Sequence, residues 1–253
     1  MSALLRALAA ERIKLRHTLA AGMVVLAPMV VLVLTVLQLS LSTLHGRPAG
    51  SGGEAWLHFS SGLFVLWSFL MLPLFVTLQA ALLGNMEHAN RAWKHLLALP
   101  LPRWSHYAAK LCVLAAMVAL STLLLAALAP LAGWVVMHTQ PAYGLAGPPP
   151  WRWLAGHALA CMAAASFLTS LQAWVALHWR SFTTSIFVGV AGTVSGFLIG
   201  QSARLGSWFP WSMPLQVFAT RADHVVQVVT ASLIGGALLA LLGMWQFDRG
   251  EVV

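Results

Sequence analysis

The chain has 253 residues, of which 60% are hydrophobic and only 8% charged, and its formal net charge is +8. Soluble domains carry about 25% charged residues, so this chain can neither cover a globular surface nor keep a disordered coil solvated. A soluble enzyme and a disordered protein are both excluded. With a mean hydropathy of +0.82, 12 Trp and 20 Gly, it reads as an all-α, polytopic membrane protein.

The arm 1–17 predicts a helix lying on the membrane surface, with Leu4, Leu8 and Leu15 on one face and Arg6 and Lys14 on the other. Arg12 falls near the apolar face, and a plain basic flank is the simpler alternative. Six apolar windows follow: 18–44, 56–83, 108–137, 153–177, 182–201 and 225–247. Each meets the roughly 20 residues needed to cross about 30 Å of hydrocarbon. Barrel strands would be shorter and would alternate in polarity. The first window starts too late for a signal peptide, and no small-residue cleavage site ends it. Six transmembrane helices with short connections make one transmembrane domain, 1–253.

Between spans 2 and 3, segment 84–107 stands out. Trp93, Leu96 and Leu97 recur at helical spacing, with Arg91 and Lys94 beside them. Pro100 and Pro102 end that helix, and Pro102 is placed to start the next one. A short amphipathic helix and a sharp break suit a knob that docks onto a partner, or a loop resting on headgroups. On the fifth span Gly192, Gly196 and Gly200 form successive G-x-x-x-G steps, which permit close helix approach within one chain or between two. Before the last span, Trp208, Phe209, Pro210, Trp211 and Pro214 make an apolar segment that dips into the outer interface, as a gate or as a plain anchor.

Ten of the 14 Lys and Arg residues fall on the side of the two termini, which makes that side cytoplasmic. The charge is thereby topological, laid against anionic headgroups, and no nucleic-acid partner is expected. None of the six acidic residues falls inside a predicted span, which weighs against ion-coupled transport. The sequence lacks G-x-x-x-x-G-K-[ST] and G-x-S-x-G. Its ten histidines sit mostly at span ends, without the spacing of a zinc site or two facing haem ligands. Cys112 and Cys161 lie in apolar runs and suggest no disulfide framework. The expectation is no catalytic residue, no metal and no cofactor in this chain. Its energy source must lie elsewhere.

Glu87, Trp93-Lys94, Leu97 with Pro100, Arg103, Tyr107 and Lys110 follow one another into the third span. Ala10-Glu11-Arg12-Ile13-Lys14-Leu15 precedes the first span, and Trp208 to Pro214 precedes the last. In these segments the chain resembles the membrane subunits of ABC-2 type exporters, particularly the lantibiotic-immunity permease branch. The resemblance implies a subunit of the bacterial cytoplasmic membrane, not itself an enzyme, that pairs with a second permease chain, identical or related. A separate ABC ATPase subunit would bind the ATP and Mg. It further implies that Glu87, Arg91, Trp93, Lys94, Leu97, Pro100, Arg103 and Lys110 serve ATPase coupling, with Glu87 held by a cation of the arm. The exported cargo would be a peptide antibiotic or another amphipathic compound, such as a drug or lipid. Two other classes compete: a redox or haem/quinone subunit using His58 and His157, and a bare membrane anchor.

Overall fold

The computed structural model describes residues 3–16, 18–42, 52–89, 102–179, 181–202, 204–218 and 222–249. Every regular element among them is helical: α1 (Ala3–Leu15), α2 (Leu19–Ser42), α3 (Gly53–Leu66), α4 (Leu72–Ala89), α5 (Arg103–Thr139), α6 (Trp151–Ala164), α7 (Ser166–His178), α8 (Phe182–Gly200), α9 (Met213–Gln216) and α10 (Ala222–Arg249). Five helical stretches are long and apolar enough to cross a membrane: Leu19–Leu41, Gly53–Met86, Arg103–Thr139, Phe182–Gly200 and Asp223–Arg249. The bent pair α6–α7 makes a sixth if taken as one span.

Two of these spans are irregular, one for a local reason and one for a distant one. α3 and α4 join through a π-helical turn, Trp67–Met71, just before Pro73. Proline has no N–H to offer and its ring crowds the preceding carbonyls, so the wider turn absorbs the mismatch without ending the helix. Trp67 points inward from this turn and donates from Nε1 to Thr122 Oγ1 of α5 at 3.2 Å. The fourth predicted span, 153–177, is not one straight helix: it bends by 40° at Ala165. Neither Pro nor Gly marks the break, and the cause lies across the bundle on α10. Ser232 Oγ donates to the Ala164 carbonyl at 2.7 Å and accepts from the Phe167 amide at 3.1 Å, taking up backbone groups that the bend strands. Gly236 leaves room for this, since a Cβ there would meet the Ser166 carbonyl carbon at 2.9 Å.

The helices run back and forth between two ends. At the first end lie α1, the close of α4, the start of α5, and the closes of α7 and α10. The second end holds the starts of α3 and α6, the closes of α5 and α8, and residues 204–218. Between them sits a core around Phe59, Leu63, Phe64, Trp67, Leu114, Leu125 and Leu168. Lipid tails are as apolar as these side chains, so close packing and interhelical hydrogen bonds hold such a core together. Outside it, α2 lies along α5 and leaves an apolar groove of about 470 Å³ between them.

Two expectations gain detail from the structure. Segment 84–107 is shorter than predicted as an independent unit: residues 84–89 continue α4, and residues 103–107 are the first turns of α5. The predicted edges followed the end of the apolar run, and a helix need not stop where hydropathy falls. The leucine stripe of the arm lies on its protein-facing side. Leu4, Leu8 and Leu15 are half-buried around fully buried Ala7 and Glu11, on the side that packs against α5.

Candidate functional site

The first end of the bundle concentrates the buried charge of the described residues. Ala7 and Glu11 are four apart on α1 and share one face. Glu11 is 3% exposed, and each of its carboxylate oxygens meets a cation. Lys14 Nζ lies 3.0 Å from Oε1, and Lys110 Nζ, from the second turn of α5, lies 3.2 Å from Oε2. Lys110 is 2% exposed, and its ammonium also reaches the Leu83 carbonyl of α4 at 3.4 Å. An ammonium and a carboxylate survive such burial only when paired and hydrogen-bonded, and removing one partner costs about 3–5 kcal/mol.

Around this pair the helices approach closely. Gly84 of α4 has no Cβ, and one built there would lie 2.5 Å from the Ala176 carbonyl oxygen of α7. Tyr107, one turn before Lys110, is buried against Gly243 and Phe247 of α10 and Leu177 of α7. Any side chain larger than hydrogen at Gly243 would overlap the Tyr107 ring. Four helices, α1, α4, α7 and α10, therefore converge on the start of α5, directly beside the connection that joins α4 to α5.

The second end is built on packing. Gly192, Gly196 and Gly200 of α8 do not receive another helix; they receive the segment that precedes α10. A Cβ at Gly192 would overlap the Trp211 indole, one at Gly196 would sit 3.0 Å from Trp211 Cβ, and one at Gly200 would sit 3.2 Å from Ser212 Cβ. Gln216 Nε2 donates to the Gly200 carbonyl at 2.8 Å, which pins the segment to the end of α8, while Ser212 Oγ donates to the Gly206 carbonyl at 2.6 Å and closes the segment on itself. Beyond it Phe218 stacks on Phe64 at 5.5 Å and on His157 at 5.6 Å, and His157 stacks on Trp153 at 3.9 Å.

Residues 7–196 match the family described as ABC-2 family transporter protein. The chain belongs to that family. The match covers most of the chain, from α1 through the greater part of α8, and so includes both Glu11 and Lys110. No curated protein and no solved structure matches it. Family membership makes this chain a multi-pass ABC-2 membrane protein and implies, in general, an ABC ATPase as partner.

The sequence-predicted residues divide accordingly. Arg91, Trp93, Lys94, Leu97 and Pro100 lie outside the described residues. Glu87 falls in the last turns of α4 and Arg103 opens α5, where Pro102 stands at the N-cap as expected. Lys110 is not on a docking surface at all, because it is buried against Glu11. The outer segment splits: Trp208 is exposed and Phe209 and Pro210 are half-buried, while Trp211 and Pro214 are buried. Glu11 was missed as a site residue. Its signals were its place in the arm segment that resembles the family's opening, and its being the sole carboxylate among the four cations of the arm. Of the histidines raised for haem or quinone, His58 is exposed, and His157 Nδ1 lies 2.9 Å from the Trp153 carbonyl.

Proposed function

We propose that the chain is the permease subunit of an ATP-driven exporter, paired with a second permease chain and with separate ATPase subunits. The family match over residues 7–196 carries this reading. The convergence of four helices on the start of α5 supports it, because a push delivered beside that point reaches most of the bundle at once. In this reading the first end and both termini are cytoplasmic, as the charge bias requires. Trp93 fills an apolar hollow on the ATPase, Lys94 and Arg103 form ion pairs around it, and Glu87, Arg91, Leu97 and Pro100 shape the contact. ATP binding on the partner then rocks the spans between inward- and outward-facing states. The cargo is an amphipathic compound, with a lantibiotic-like peptide the leading candidate.

The test is purification of the full-length chain from its own membranes, followed by identification of what comes with it. An ABC ATPase should co-purify, and Trp93→Ala should weaken that association by about 2 kcal/mol or more, the size of an interface hot spot. Lys94→Ala should weaken it less, and mainly at low salt. Absence of an ATPase from the wild-type preparation, together with a haem Soret band, would overturn the reading in favour of a redox subunit.

A further inference from the structure

A driven permease must carry motion from the α4–α5 connection into the rest of the bundle, and one side chain is placed to do so. The connection leaves α4 after Ala89 and enters α5 at Arg103. Leu83 stands near its first root and Lys110 near its second. The Lys110 ammonium bonds the Leu83 carbonyl at 3.4 Å and Glu11 Oε2 at 3.2 Å, so one cation ties both roots to α1. Lys14 holds the other carboxylate oxygen from within α1. With side chains only 2% and 4% exposed, neither Lys110 nor Glu11 can exchange its partner for water while α1 stays in place. From α1 the chain passes directly into α2. There Thr18 Oγ1 donates to the Leu15 carbonyl at 2.8 Å, and Gln79 Nε2 of α4 donates to the Ala20 carbonyl at 2.8 Å. The start of α2 is thus held to the same body.

We propose that Lys110 is a positioning residue which acts through Glu11. Their buried pair makes α1 travel with the roots of the α4–α5 connection, so that displacement there moves α1 and the start of α2 together. This deepens the exporter reading and rests on it for the source of the motion. The docking of α1 by the pair does not depend on that reading.

The experiment uses the full-length chain in its own membrane, with Cys112→Ser and a reporter cysteine, Ala7→Cys, on the buried face of α1. Native Cys161, fully buried, stays as an internal check that the bundle is folded. The reporter should react slowly with maleimide. Lys110→Gln should speed that reaction about tenfold or more, since Glu11 then keeps only Lys14, which lies on α1 itself and does not hold it to the bundle. The double variant Glu11→Gln/Lys110→Gln should slow it again, because two neutral amides can pair without a buried charge. An unchanged rate in Lys110→Gln, or a double variant as reactive as the single one, would overturn the pair as the latch. If Cys161 also becomes reactive in Lys110→Gln, the same comparison is read from Glu11→Gln. A second arm adds the co-purified ATPase, ATP and orthovanadate. Trapping should change reporter reactivity in the wild-type pair and leave it unchanged in Lys110→Gln. No change in the wild-type pair would overturn transmission through Lys110. A chain that brings no ATPase refutes the exporter reading, and the first arm still decides the latch.

Discussion

The two ends of this bundle hold their outlying segments by opposite means. At the first end α1 is fastened by charge: Glu11 sits between Lys14 and Lys110, out of water. At the second end residues 204–218 are fastened by shape: Trp211 lies in a trough that exists only because Gly192 and Gly196 have no side chains. A buried ion pair gains strength from its dry surroundings, but it is sensitive to loss of either partner. A ring on glycine tolerates any change of charge, yet fails when one methyl group is added.

Substitutions can break or sharpen that contrast, and thermal unfolding in detergent measures each. The largest loss, about 3–5 kcal/mol, is expected for Lys110→Met, which leaves the buried carboxylate only the one-third-exposed Lys14 as a partner. Adding Glu11→Gln to that variant should recover much of it, a non-additivity that marks the pair as one unit. At the shape-held end Gly192→Ala should cost about 1–3 kcal/mol by overpacking against Trp211. Its unfolding midpoint should not respond to salt. A smaller effect, about 1 kcal/mol, is expected for Ser232→Ala, which leaves the Ala164 carbonyl and Phe167 amide without their hydroxyl partner. Retention of full stability there would mean that the bend at Ala165 holds itself. Lys14→Ala should cost least, below about 1 kcal/mol, because its side chain is one-third exposed and Lys110 still serves Glu11.

Much of the membrane architecture was legible in the sequence because apolar runs of span length admit few other structures. The windows 18–44 and 182–201 lie close to α2 and α8, and Pro102 stands where a helix start needs it. The bend at Ala165 was not legible. Its cause is Ser232, 67 residues further along the chain, and no local breaker announces it. Gly192, Gly196 and Gly200 announced close packing, but the sequence could not say against what. A helix was the expected neighbour, and a Trp-bearing loop occupies the place.

Lys110 shows the same division at the site. In the sequence it is one more basic residue beside a membrane span, and its resemblance to a family motif placed it with the coupling residues. Composition and hydropathy alone determined that the chain is a helical membrane protein, because solvation acts on each segment independently of its neighbours. Of the six crossings read from the sequence, the structure shows five helices of sufficient length, or six if the bent pair counts as one. Tertiary structure alone decided that Lys110 turns inward to Glu11, 99 residues away, that Trp211 seats on α8, and that α10 secures the bend between α6 and α7. Each of these depends on which side chains meet across helices, and pairing at a distance leaves no periodic mark on the chain.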